Sequence, residues 1–311
     1  MCAVGWLDGE TSVEACQLAD ARALYGGTVL AVLGGVGAAL AWAVSTLCSS
    51  RSSRMIAPTA VVAWVMAFGL IITAPIATAN GIPKHLVSGS GIWLLVGGGG
   101  NVLGLMLTYR ALRIGKVALV SPITSTEGAI AALIAVIAGE SLSLGVAATL
   151  VVIVFGVCLA AVPSDALEHT DPLAHPRAVV LAVAAACSFG ISLYGTGRAG
   201  AVFPSAWVVL SARLIGALVI AAPLALRGRL ELTRRALPLV VASGIAEVVG
   251  FFSYTDGSRH GIAIASVLAS QFAAVSALGA FLLFKERLSR LQLLGVVVVI
   301  CGAAVLSALT A

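Results

Sequence analysis

Ten apolar stretches constrain what this chain can fold into. They cover residues 26–48, 56–79, 90–112, 116–138, 142–162, 178–197, 203–226, 236–256, 261–284 and 288–309. Each is about 20 residues long, the length a helix needs to cross the hydrocarbon core of a bilayer. Only 10% of the 311 residues are charged, against about 25% in a soluble domain. A water-facing surface cannot be built from that supply. The expected class is therefore an all-α integral membrane protein, held in a lipid bilayer.

The net charge of +5 comes from Lys and Arg in the connections. In a membrane protein such charge reports orientation and anionic-lipid contact, and it gives no reason to expect a nucleic-acid partner. The six cysteines form no CxxC pair, and their placement suits small apolar packing residues. No metal site and no cofactor are expected. A phosphate-binding loop is not expected either, because the Gly97–Gly100 run has no neighbouring Lys and no soluble strand–loop–helix around it. That run, with Gly104 one turn on, reads as a close-packing surface between helices.

Residues 1–25 hold Asp8, Glu10, Glu14 and Asp20 against Arg22 alone. They lack the basic start and apolar core of a signal peptide and read as an acidic flexible tail or an over-called start. The polar segment 163–177 divides the ten stretches five and five. The expected organisation is a tail (1–25), a first five-span unit (26–162), a linker (163–177) and a second five-span unit (178–311).

The two units repeat. "LIITAPIA" at 70–77 returns as "LVIAAPLA" at 218–225, and "VLAV" at 29–32 returns at 180–183. "GESLS" at 139–143 returns as "KERLS" at 285–289, and Gly156 returns as Gly302. The last two matches share an offset, since 286−140 and 302−156 both equal 146. A unit with an odd number of spans must enter the membrane from opposite sides in its two copies. The pattern predicts ten helices in two inverted five-helix repeats around a central cavity, an architecture of secondary transporters.

Spans, repeat and glutamate motif together resemble the EamA-type members of the drug/metabolite transporter superfamily, over roughly residues 26–310. The resemblance implies a carrier for a small metabolite or amphiphilic compound, with spans 5 and 10 peripheral and the others around the cavity. It also implies both termini inside. The charge count points the other way. Of 18 Lys and Arg, Arg213 lies within a span and four (Arg22, Lys84, Arg198, Arg259) lie on one side, leaving thirteen on the other. The richer side should be cytoplasmic, which puts both termini outside.

Three charged side chains fall near mid-span: Glu127, Arg213 and Glu247. A charge there costs about 2.5–3.5 kcal/mol on insertion scales, so each needs a partner or a function. Arg213 has two natural partners, Glu247 and Glu127; it either forms a structural ion pair, or binds a substrate anion or gates a carboxylate. Asn101 and Gln271 are the main uncharged polar groups at depth, and Trp42, Trp64 and Tyr194 the large aromatics. At offset 146, Asn101 matches Glu247, Thr124 matches Ser270, and Glu127 matches Ala273. Thr124, Glu127 and Ala131 share one helical face, and Ser266, Ser270, Ala273 and Ala277 another. Pro122 allows an open helix segment beside Glu127. The candidate substrate or coupling residues are Glu127, Arg213, Glu247, Asn101, Thr124, Gln271, Ser270, Trp42 and Tyr194. Glu140 and Glu286 read as caps of their own following helices, with Ser141 or Ser289 helping.

The leading function is a secondary carrier working by alternating access in the cell (plasma or inner) membrane of a bacterium. Its expected partners are a small-molecule substrate, a coupling proton or sodium ion, and a second copy of the chain in a homodimer. A carboxyl withdrawn from water holds its proton more tightly, which favours the proton. An uncoupled facilitator stays open. A membrane-embedded enzyme has little support, since no HExxH, GxSxG or paired aspartates occur in a span.

Overall fold

The computed structural model describes residues 11–83, 89–114, 120, 123–160, 174–284 and 290–310. Among these the chain is helical, with no strand. The helices are α1 (Thr11–Ser52), α2 (Pro58–Ala79), α3 (Ile92–Ile114), α4 (Glu127–Ile137), α5 (Leu144–Ala160) and α6 (Ala174–Gly200). There follow α7 (Ser205–Gly216), α8 (Ala222–Leu226), α9 (Leu237–Ser258), α10 (Ile262–Ala269), α11 (Phe272–Phe284) and α12 (Arg290–Thr310). Among the described residues, six segments are long and apolar enough to cross a membrane: 27–52, 58–79, 89–108, 176–200, 205–226 and 237–258. Shorter apolar helices occupy parts of the other four stretches.

Two differences from the sequence reading concern helix limits. The first helix begins at Thr11, inside the segment expected to be a flexible tail. Its residues offer no Pro or Gly between 10 and 25 to stop it. α6 begins at Ala174, within the expected linker. The rest of that linker, Pro122 and Glu286 lie outside the described residues.

A third difference matters for the site. The stretches 116–138 and 261–284 are each interrupted. Turns at Ser125–Thr126 and Ser270–Gln271 separate a first helical piece from α4 and from α11. The second break is well defined. The Gln271 N–H turns to Leu268 O, 3.1 Å away, rather than to Val267 O. Val267 O is then taken by Ser270 Oγ and Gln271 Nε2, each at 2.8 Å. The first break repeats the device, with Thr126 donating to Ile123 O from both its N–H and its Oγ1. Irregular backbone at membrane depth survives only where side chains or a cavity satisfy it. Between α7 and α8 the helix widens to a π-helical turn over Ala217–Ala221, next to Pro223, which brings no N–H to the ladder.

Packing runs across the two halves. α1 lies against α9 and α10, and α3 against α6 and α7. α2 meets α7 and α9, α4 meets α6 and α10, and α5 pairs with α12. Small residues let these backbones approach. A Cβ on Gly34 would sit 2.4 Å from Gly257 Cα. Gly97, Gly100 and Gly104 face α6, and Gly98 faces α7, so the glycine run is the contact surface its spacing suggested. Gly99 alone in the run faces open space. α5 and α12 touch around Ile153, Gly302 and Leu306, while Phe155, Val151 and Leu293 remain exposed.

Glu140 departs from its expected role. α4 ends in a Schellman turn: the Gly139 N–H donates to Val136 O, the Glu140 N–H to Ala135 O, and Gly139 takes φ +103°. The turn aims Glu140 away from its own following helix. It accepts instead from the N–H groups of Ile262 and Ala263, both at 3.1 Å. At the start of α5, Ser143 Oγ accepts from the Val146 N–H.

The glycine contacts make a paired prediction. Gly34→Ala should lower thermal stability in detergent by about 1–3 kcal/mol, because the α1 and α9 backbones must separate. Gly99→Ala should be neutral or stabilise by about 0.5–1 kcal/mol, since it gains helix propensity in open space. Equal melting shifts for the two would contradict this packing.

Candidate functional site

A cavity of about 670 Å³ opens among α1, α2, α3, α4, α6, α9 and α11. Its walls carry two carboxylates, Glu127 and Glu247, and one carboxamide, Asn101. Thr124, Ser125 and Thr108 add hydroxyls, and Ser45, Thr46, Ser49, Ser50 and Ser53 form a row along the end of α1. Trp42, Phe189, Phe251 and Phe272 give it aromatic surface, and Val61, Val62, Val65 and Met66 an aliphatic side. Among the described residues, no Lys, Arg or His lines it.

Arg213 stands behind this wall. It is fully buried, whereas the Glu247 side chain keeps 24% exposure. Arg213 Nη2 lies 3.1 Å from Glu247 Oε2. Its Nη1 points to Met66 Sδ at 3.4 Å, and its guanidinium carbon sits 4.6 Å from the Phe251 ring centre. Gly69 makes room for the stem, since a Cβ there would fall 2.7 Å from Arg213 Cδ. The ion pair of Arg213 with Glu247, one of its two natural partners, is present.

Glu247 is held on its other side too. Ser45 Oγ donates to Glu247 Oε1 at 3.3 Å. Ser243 Oγ lies 2.8 Å from both Ser45 Oγ and Ser49 Oγ and donates to Ser45 O. The α9 carboxylate is thus charge-neutralised and fixed.

Glu127 is the first residue of α4, directly after the Ser125–Thr126 break. Neither ion pair found among the described residues involves it. The exposed N–H groups of a helix start favour negative charge, and broken helices use such ends in transporter sites. α4 crosses α10 at the next residue: a Cβ on Gly128 would lie 2.4 Å from Ser266 O and 2.5 Å from Ser270 Oγ.

The structure therefore brings Glu127, Glu247, Asn101, Thr124 and Trp42 onto one cavity. Trp42 sits in an aromatic group with Phe251, Tyr254 and Phe272, at ring separations of 5.2, 6.1 and 6.3 Å. Three other candidates lie elsewhere. Gln271 and Ser270 are buried and each donates to the Val267 carbonyl at the helix break, while the buried Gln271 Oε1 has no hydrogen-bond partner. Tyr194 stacks edge-on with Trp93 at 5.7 Å, away from the cavity. The α1 hydroxyl row was not singled out from the sequence. Its signal was present in the i, i+4 spacing of Ser45, Ser49 and Ser53.

The EamA-like transporter family matches the chain twice, over residues 29–162 and 176–308. The chain belongs to the EamA-like transporter family. It is a multi-pass membrane transporter of the drug/metabolite type, in a family whose members are transporters rather than enzymes. None of the curated proteins matches it. A crystal structure described only as that of a protein is similar at 20% identity and a TM-score of 0.74, covering 90% of this chain and 97% of its own. At that identity the likeness establishes the fold alone.

Removing either partner of the Arg213–Glu247 pair strands a charge in a low-dielectric interior. Arg213→Met and Glu247→Gln should each destabilise the purified protein, by about 3–5 kcal/mol where the stranded charge stays buried. The double variant should cost clearly less than the sum of the two. Additive losses in the thermal-melting cycle would show that the two groups do not interact.

Proposed function

We propose that the protein is a secondary carrier in which ten helices, as two inverted five-helix repeats, work by alternating access around this cavity. The observation that carries the reading is the unequal state of its two carboxylates. Glu247 is neutralised by Arg213, which leaves Glu127 as the charge that a proton or a substrate can balance. Reciprocal packing supports the repeat. A two-fold relation between the halves exchanges α1·α9 with α3·α6 and maps α5·α12 onto itself, and all three contacts occur. The breaks at Ser125–Thr126 and Ser270–Gln271 agree with it, because offset 146 carries Ser125 onto Gln271.

The walls favour some solutes over others. With no cation facing the cavity, an anionic solute finds no counter-charge. A solute with an apolar body and a positive charge, or a neutral solute moving against a proton on Glu127, fits aromatic walls, a hydroxyl row and one unpaired carboxylate. Asn101 has both hydrogen-bond senses to orient it. An uncoupled facilitator with the same cavity remains the second reading, and Glu127 separates the two.

Glu127→Gln keeps the shape and cannot ionise. In proteoliposomes it should abolish accumulation driven by a proton gradient, while exchange of solute down its own gradient survives if Glu127 carries only the proton. Normal, still pH-dependent accumulation by the variant would remove Glu127 from the coupling role. Wild-type flux that never exceeds the solute's own gradient would favour the facilitator.

A further inference from the structure

The cavity opens toward one end of the helix bundle and is sealed at the other. Its lining on α1 runs from Trp42 to Ser53, and on α9 it stops at Phe251. Beyond those points the two helices close on each other. The Gly34 and Gly257 backbones touch, Ala31 has 0% exposure, and the buried Tyr254 hydroxyl donates to Leu193 O at 2.8 Å. Among the described residues Glu140 is the carboxylate at this end that joins the first half to the second, while Arg198 of the second half lies over the Trp93 ring of the first, 5.7 Å from its centre. α10 has no cap of its own, since its N-cap position is Gly261 and no side chain there serves it. The carboxylate of Glu140, arriving from the other half, supplies the missing acceptors to the Ile262 and Ala263 N–H groups.

We propose that Glu140 is the latch of this gate, a positioning residue that holds the sealed end shut by capping α10 across the two halves. This rests on the carrier reading. The geometry gives it a link to the site. α4 has Glu127 as its first residue and Glu140 just past its last turn, so a rigid rod of about 16 Å joins the cavity carboxylate to the latch. α4 crosses α10 at Gly128, where there is no room for the two helices to slide without separating. A displacement of α4 that follows a change at Glu127 therefore pulls Glu140 off the α10 end, and water replaces it on the two N–H groups. The Schellman turn at Gly139 fixes the carboxylate to the rod rather than to α5, so the latch moves with α4. The glutamate that recurs in both halves at 140 and 286 gains a reason in these terms, which a cap on its own helix does not provide at Glu140.

The test uses the full-length chain with its six cysteines replaced and one reporter thiol added in turn. Ala31→Cys reports the sealed end, and Leu105→Cys reports the cavity. A water-soluble maleimide should label the Ala31→Cys thiol roughly two- to tenfold faster when Glu140→Gln removes the charge at the helix start, and faster still with Glu140→Ala. The Leu105→Cys thiol should label more slowly in the same variants, because opening one end closes the other. Unchanged labelling at Ala31→Cys, or acceleration at both positions, would overturn the latch; the second result is that of a loosened fold. If Glu140→Ala fails to fold, the shape-preserving Glu140→Gln decides. Solute accumulation by the wild type, measured in the same liposomes, keeps the two proposals apart. Accumulation with an unchanged Ala31→Cys profile removes the latch and leaves the carrier, and no solute movement removes the carrier itself.

Discussion

A guanidinium with no exposure, inside a bilayer-spanning bundle, is tolerable only while its charge is answered. Glu247 answers it at 3.1 Å, and the rest of the cavity follows from that contact. Because Arg213 faces Glu247 from behind, the cation is hidden from the cavity and the wall presents no positive charge. Because Glu247 is already paired, Glu127 is the carboxylate of the cavity wall that lies outside the ion pairs found among the described residues. The Ser45 hydroxyl completes the arrangement by holding the second carboxylate oxygen, with Ser243 against Ser45 and Ser49 against Ser243. A buried pair of this kind adds little stability compared with an apolar replacement, but it fixes which groups stay free.

The broken helices do different work from the unbroken ones. α1, α2, α3, α6 and α9 pack through glycines and form a stiff frame. α4 starts and α10 stops at membrane depth, and each has an end near something that can change. α4 begins with the cavity carboxylate and is followed by Glu140. α10 begins at the N–H groups Glu140 caps and ends at the Ser270–Gln271 break. Short helical pieces with satisfied ends can shift as units, since their backbone bonds are internal.

Much of this was legible in the sequence, because the features concerned are expensive in lipid. Charges at mid-span are rare and conspicuous, so Glu127, Glu247 and Arg213 stood out. The glycine run stood out because its spacing is a packing surface. The groups hardest to read are those whose contacts depend on a neighbour not adjacent in the chain. Gln271 and Ser270 looked like site residues at the right depth, but a polar side chain at a helix break is equally suited to a freed carbonyl, and Val267 takes both. Glu140 sits where a cap of α5 is expected, and only the left-handed Gly139 sends it to α10. The α1 serines were overlooked because hydroxyls near the end of a span cost little and so carry little signal.

The repeat itself locates the chemistry by subtraction. What both halves share, such as the glycines at 156 and 302 and the breaks near 125 and 271, is needed to fold and pack two similar units. Polar groups present in one half alone are not required by that shared packing. Glu127 is matched by Ala273, Glu247 by Asn101, and, at the offset of 148 set by "LIITAPIA" and "LVIAAPLA", Arg213 by Val65. Glu127, Glu247, Asn101 and Val65 line the cavity, and Arg213 supports it from behind. An exactly symmetric cavity would hold either two unpaired acids or none. Breaking the symmetry at these three pairs leaves one acid paired with an arginine and one outside the ion pairs found among the described residues, and in the carrier proposed above that second acid is the charge that varies.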